Sequence, residues 1–75
     1  MVIRQKPIDV GYMRTFARLA QHLNYRAVAD ELALTQSAIS RHIQALEDDV
    51  GVRLFTRNTR SVQLTAAGSV LLAAV

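Results

Sequence analysis

TQSAISRHIQALEDDVG, residues 35–51, decides the fold. Ile39, Ile43, Leu46 and Val50 recur at spacings of four, three and four, the phase of one buried face of an α-helix. Thr35 is a capping residue at its start, and Gly51 is placed to end it. At about 100° per residue, Gln36, Ser37, Ser40, Arg41 and Gln44 fall on a different face. That face offers hydrogen-bonding groups and one cation, and no carboxylate. A solvated face usually mixes both charge signs. This one is suited to meet acceptors and anions.

Upstream, Asn24 is a second N-cap, followed by Tyr25, Val28, Ala29 and Leu32 at i, i+3, i+4 and i+7. This predicts a helix of about two turns, interrupted at Ala33-Leu34. Before it, Met13, Phe16, Ala20 and Leu23 share a stripe with Leu19 beside them, which predicts a first helix from about Val10 to Leu23. Asp9 is its N-cap, and Ile8 and Met13 stand at the positions of a hydrophobic staple. Residues 1–7 read as a tail ending at Pro7.

Downstream the period changes. Val52 and Leu54, then Val62 and Leu64, alternate with polar residues around Arg57-Asn58-Thr59-Arg60-Ser61, a two-stranded hairpin with a basic tip. Thr65 caps a last helix from Ala66 onward, which holds Val70, Leu71, Leu72 and Val75 and no charge. A helix apolar nearly all round needs a partner, in this chain or another. The order is helix, short helix, tight turn, polar-faced helix, hairpin, apolar helix. This is a mainly α, winged helix-turn-helix arrangement: a three-helix core with a two-stranded β wing.

Composition agrees. The chain has 75 residues, 51% of them hydrophobic and 20% charged, with one Pro and three Gly, which fits one small ordered domain. It has no Cys, hence no disulfide framework and no thiolate metal site. No stretch approaches the roughly 20 apolar residues of a membrane span, so no membrane partner is expected. The N-terminus MVIRQKPIDV lacks the apolar core of a secretory signal. The net charge is +3, and from Val52 to Val75 the three arginines Arg53, Arg57 and Arg60 meet no acid. So short a chain leaves little fold for a deep catalytic pocket. Ser37, Ser40 and His42 form no nucleophile–base arrangement, His22 and His42 have no third ligand in view, and no enzyme is expected. Glu47, Asp48 and Asp49 point about 100° apart and read as a solvated acidic patch that keeps this helix end away from phosphates, not as a metal site.

The stretch NYRAVADELALTQSAISRHIQALEDDVGVRLFTRNTRSVQLTAAG resembles the N-terminal DNA-binding domain of LysR-type transcriptional regulators. The matching pieces are Ala27-Val28-Ala29 with Leu32, the run from Thr35 to Arg41, Ile43, Leu46-Glu47, Gly51, Leu54-Phe55, Arg57, Arg60, and Leu64-Thr65 with Gly68. They cover about residues 8–72 without a gap. The departures are Ser37 where many members have Pro, Val28 for a frequent Ala, and a longer N-terminal tail. The resemblance implies a tail at 1–7, a DNA-binding domain at 8–65, and at 66–75 the truncated start of a linker and dimerisation helix. It implies further that the chain is a fragment or an expressed DNA-binding domain. No cofactor is expected in it; a small-molecule effector is expected for a C-terminal domain of a longer protein. The expected setting is the bacterial cytoplasm.

The expected partners are double-stranded operator or promoter DNA and a second copy of the chain, with a tetramer within reach of the full-length protein. Gln36 can donate and accept at once, which suits the major-groove edge of adenine. Ser37 and Ser40 offer short hydroxyls, Arg41 reaches phosphate or guanine, and Gln44 continues the face. Thr35 caps the helix and offers its amide to phosphate. Arg60 at the hairpin tip suits a narrow A·T-rich minor groove, Arg57 suits phosphate or a structural role, and Arg53 flanks the strand. Val70, Leu71, Leu72 and Val75 are the expected dimerisation residues. The competing reading is a winged-helix protein-interaction module that does not bind DNA; winged helices of other regulator families are a third.

Overall fold

A computed structural model describes residues 10–57 and 61–74. The elements run α1 (Val10–His22), α2 (Tyr25–Leu32), α3 (Gln36–Val50), β1 (Phe55–Arg57), β2 (Val62–Leu64) and α4 (Ala66–Ala74). The tail, Ile8, Asp9, Asn58 to Arg60 and Val75 lie outside the described residues, as do the side chains of Val10 and Arg57. The Asp9 cap, the Ile8–Met13 staple and the wing tip therefore lie outside them too.

The helix boundaries follow from caps. Asn24 has an extended backbone, and its side chain accepts from the Ala27 amide at 3.0 Å. Thr35 does the same for Ala38, also at 3.0 Å. Gly51 ends α3 at φ 80°, its amide donating to the Glu47 carbonyl at 2.8 Å. Two ends use residues other than glycine. Leu23, expected inside α1, turns out of it at φ 52° while its amide still reaches the Leu19 carbonyl. Ala33 at φ 58° closes α2: its amide donates to the Asp30 carbonyl and that of Leu34 to the Ala29 carbonyl. That double closure is a Schellman motif with alanine in the glycine position.

The three helices pack on one another around Phe16, Leu19, Val28, Ala29, Ile39, Ile43 and Leu46, with Leu54 and Phe55 completing the core. Phe16 and Phe55 meet in a tilted pair, ring centroids 5.6 Å and planes 58° apart, so the base of the wing is tied to α1. The strands pair antiparallel, with Phe55 opposite Leu64, Thr56 opposite Gln63 and Arg57 opposite Val62.

Three expectations are corrected here. Val50, placed in the core stripe, is 39% exposed, because α3 turns into Gly51 one turn past Leu46 and has no neighbour left to cover it. Val52 and Leu54 do not begin an alternating strand. Val52 is exposed, Leu54 and Phe55 are both buried, and β1 starts at Phe55. The backbone of this segment bonds elsewhere: the Leu54 carbonyl accepts from the Thr65 amide at 3.0 Å, and the Leu54 amide donates to Glu47. Glu47 is accordingly not part of a solvated acidic patch. It is buried, with Oε2 accepting from the amides of Leu54 at 2.8 Å and Phe55 at 3.3 Å. Its carboxylate is the joint between α3 and the wing. Asp48 and Asp49 are exposed as expected.

Thr65 caps α4 as expected, accepting from the Gly68 amide at 3.0 Å, and donates its own proton to the Arg53 carbonyl at 2.7 Å. Gly68 is buried against the wing. A Cβ there would overlap the Leu54 carbonyl oxygen and stand 2.7 Å from Leu64 Cδ1. Only glycine lets α4 dock at this distance. Leu71 and Leu72 lean on the core, half-buried, whereas Val70 is 72% exposed. Part of the apolar surface of α4 is thus covered within the chain.

Candidate nucleic-acid interface

The helix-turn-helix unit presents the start of α3 to solvent. Thr35, Gln36, Ser37, Arg41 and Gln44 are exposed and Ser40 is half-buried. Ser37, Ser40, Arg41 and Gln44 turn away from Ile39, Ile43 and Leu46, whereas Thr35 and Gln36 lie in phase with that stripe and are exposed by their place at the helix start. The cap determines what this end offers. Ala38 donates to the Thr35 side chain and Ile39 to the Thr35 carbonyl. The amides of Gln36 and Ser37 precede the first intrahelical acceptor and carry the positive end of the helix dipole. This end thus presents two amide donors, with the exposed Arg41 one turn after Ser37.

The charges around it are arranged differently from one another. Among the described residues the ion pairs are Arg18–Glu31 and His22–Glu31, the latter at 3.0 Å. They tie α1 to α2, and Arg18 also donates to Gln21 at 2.9 Å. The hydrogen bond from Arg18 holds the Glu31 carboxyl below its ordinary range; the charge of Arg18 and the contact with His22 add to this, and partial desolvation opposes it. Arg41 is in neither pair, so its charge is not committed to a described carboxylate.

The polar face is not free of acid along its whole length, which corrects the sequence reading. Gln44 Nε2 donates to Asp48 Oδ1 at 3.2 Å. Asp48 follows Gln44 by one turn and extends the same face, so the acid-free part ends before Gln44. The cleft beside it, about 290 Å³, is lined by Gln44, Glu47, Asp48, Gly51, Val52 and Arg53 and is open to solvent. Among the described residues no group of three or more His, Cys, Asp or Glu side chains is placed to hold a metal ion. No described helix is long and apolar enough to cross a membrane.

Of the expected wing residues, Arg57 closes β1 opposite Val62 through its backbone, Arg53 precedes β1 in an exposed segment, and Arg60 lies outside the described residues. Of the expected dimerisation residues, Val70 is the outward one, Leu71 and Leu72 are turned partly inward, and Val75 lies outside the described residues. Two residues that the sequence reading left without a partner join elements around this face: Glu47 joins α3 to the wing through the amides of Leu54 and Phe55, and Thr15 of α1 meets His42 of α3 at 2.9 Å. Glu47 carried a signal, an acid in phase with Ile43 at i+4. Thr15 carried one too, a hydroxyl within the apolar stripe of α1.

A three-helix core with a paired hairpin after the polar-faced helix defines the winged helix-turn-helix class. Comparison with known proteins is more specific. The family described as "Bacterial regulatory helix-turn-helix protein, lysR family" matches residues 11–69. The chain is 53% identical over 64 residues to the HTH-type transcriptional regulator y4mQ of Sinorhizobium fredii, covering 85% of this chain and 22% of that protein. Among solved structures, the complex of the CbnR DNA-binding domain with DNA is similar at a TM-score of 0.83 and 38% identity, over 88% of this chain and 76% of that one. Corynebacterium glutamicum OxyR is similar at 0.89 and 32%, over 95% of this chain and 22% of that one. The chain belongs to the LysR family of bacterial regulatory helix-turn-helix proteins. It spans about a fifth of the length of the curated relatives it matches.

Proposed function

We propose that this chain is the DNA-reading module of a bacterial transcription regulator, with α3 as the recognition helix. The observation that carries this reading is the exposed start of α3: two amides without intrahelical acceptors, Gln36, Ser37 and Ser40 at the surface, and an Arg41 not paired with a described carboxylate. The similarity to a domain solved on DNA supports it. In this reading Gln36 is the main base reader, because its amide pairs bidentately with adenine N6 and N7. Ser37, Ser40 and Arg41 contact nearby edges and phosphates, Thr35 offers the N-terminal end of the helix to a phosphate, and Gln44 serves less, being bonded to Asp48.

The finer geometry belongs to the same proposal. The basic hairpin, through Arg57 and Arg60, enters the minor groove, and Arg60 senses its width. Two copies pair through α4, with Val70 as the outward anchor, and read a dyad-symmetric site. In a longer protein, a further domain takes the small-molecule effector.

The test is a gel-shift titration with promoter DNA at two salt concentrations. Three or four phosphate contacts per subunit, each contributing about −0.9 to the log–log slope, give a slope of about −3 per subunit. A flat salt response, or no retarded complex with any duplex, would contradict the reading and favour a protein-interaction module.

A further inference from the structure

Thr15 is a buried hydroxyl, 1% exposed, on α1, the helix that packs against α3. Its Oγ1 donates to the Gly11 carbonyl at 3.1 Å, one turn back. A hydroxyl has a single proton. The 2.9 Å contact between Thr15 Oγ1 and His42 Nδ1 is therefore a bond in which Nδ1–H donates. The His42 ring also stacks on Tyr12, centroids 4.5 Å and planes 26° apart. Gly11, Tyr12 and Thr15 belong to α1, and His42 belongs to α3.

These contacts differ in kind from those around them. Ile39, Ile43 and Leu46 attach α3 to the core through aliphatic burial, which is non-directional and tolerates a small roll of the helix. A hydrogen bond weakens steeply when misaligned. With side-chain tips about 5–6 Å from the helix axis, a roll of about 10° moves them about 1 Å, enough to spoil a base contact. His42 directly follows Arg41 and lies within two turns of Gln36, Ser37 and Ser40.

We propose that His42 is a positioning residue. Clamped in its Nδ1–H form by Thr15 and stacked on Tyr12, it sets the rotation of α3 about its own axis, and with it the register in which Gln36, Ser40 and Arg41 meet base edges. This rests on the DNA-reading function proposed above. Sequence discrimination depends on the clamp more than total affinity does, because phosphate contacts survive a small roll and bidentate base contacts do not.

Two measurements test it. Nitrogen-15 NMR of the neutral imidazole should find the His42 proton on Nδ1; a proton on Nε2 overturns the clamp. Second, the affinity ratio between a selected duplex and a scrambled one is compared for the wild-type chain, Thr15→Val, Thr15→Ser and His42→Phe. Valine keeps the volume of threonine without its hydroxyl, and phenylalanine keeps a ring on Tyr12 without the bond. Both should lower the ratio about fivefold to tenfold, the scale of one weakened base contact, with scrambled-duplex affinity within about twofold of wild type. Thr15→Ser should restore the ratio. Folded Thr15→Val and His42→Phe variants that keep the wild-type ratio refute the proposal. If Thr15→Val fails to fold, His42→Phe and the NMR result decide it. A wild-type chain that prefers no duplex refutes instead the DNA-reading function.

Discussion

Glu47→Ala removes the acceptor shared by two amides at the junction of α3 and the wing. The bond from Leu54 is short, 2.8 Å, and its donor residue is 1% exposed; the bond from Phe55 is longer, 3.3 Å. A buried donor left without a partner costs about 1–3 kcal/mol. Counting the Leu54 amide in full and the Phe55 amide in part, Glu47→Ala should destabilise the chain by about 3 kcal/mol. A domain of this size has only about 4–11 kcal/mol to lose. Glu47→Gln keeps the shape and one accepting oxygen but not the charge, so it should cost about 1 kcal/mol, the difference between a charge-assisted and a neutral bond. Urea denaturation followed by circular dichroism reads both values, with an unchanged denaturant slope confirming that stability alone moved. A loss below about 0.5 kcal/mol for Glu47→Ala, or equal losses for Ala and Gln, would refute the assignment of Glu47 as the joint.

Three further perturbations probe separate parts of the fold. Gly68→Ala forces a methyl into the Leu54 carbonyl oxygen, which cannot move aside as a side-chain tip can, and should cost about 1–3 kcal/mol; an unchanged thermal midpoint would show that α4 docks more loosely. Ala33→Gly relieves the left-handed strain at φ 58° and should raise the midpoint by a few degrees, for a gain of up to about 1 kcal/mol; a lower midpoint would contradict the Schellman closure. Because the Glu31 carboxyl is held below its ordinary pKa of 4.5, it contributes stability that is present above that value and lost as pH falls through the lower folded value. Glu31→Gln should therefore lose less stability than wild type as pH falls below 4.5, and identical acid profiles would mean that the Arg18–Glu31–His22 cluster contributes nothing.

The order of elements was legible in the sequence where apolar period and a side-chain cap coincided, and where a glycine followed Val50. Asn24, Thr35, Thr65 and Gly51 stand at helix ends as read. The misreadings fall where tertiary bonding overrides local pattern. Val52-Arg53-Leu54 alternates like a strand, yet its backbone bonds to Glu47 and Thr65 in place of a partner strand. Glu47 sat among acids and was read with them, although its phase on α3 matched Ile43. Leu23 and Ala33 take left-handed conformations that neither residue type announces. For the candidate interface, Ser37, Ser40, Arg41 and Gln44 were legible from 100° spacing; Gln36 falls in phase with Ile43 and is exposed because it opens the helix, and the Gln44–Asp48 bond needed the i+4 neighbour to be counted.

The most direct measurement is selection of preferred sites from random duplex DNA by the wild-type chain and by Gln36→Ala. Gln36 is exposed at the first position of α3, so its loss removes no core packing. The wild-type chain should enrich a defined motif. Gln36→Ala should lose the base preference at one or two adjacent positions of that motif, weakening specific binding by about 1–3 kcal/mol while non-specific binding stays nearly the same. Enrichment of no sequence by the wild-type chain, or an unchanged preference at every position in the variant, would contradict α3 as the reader of DNA.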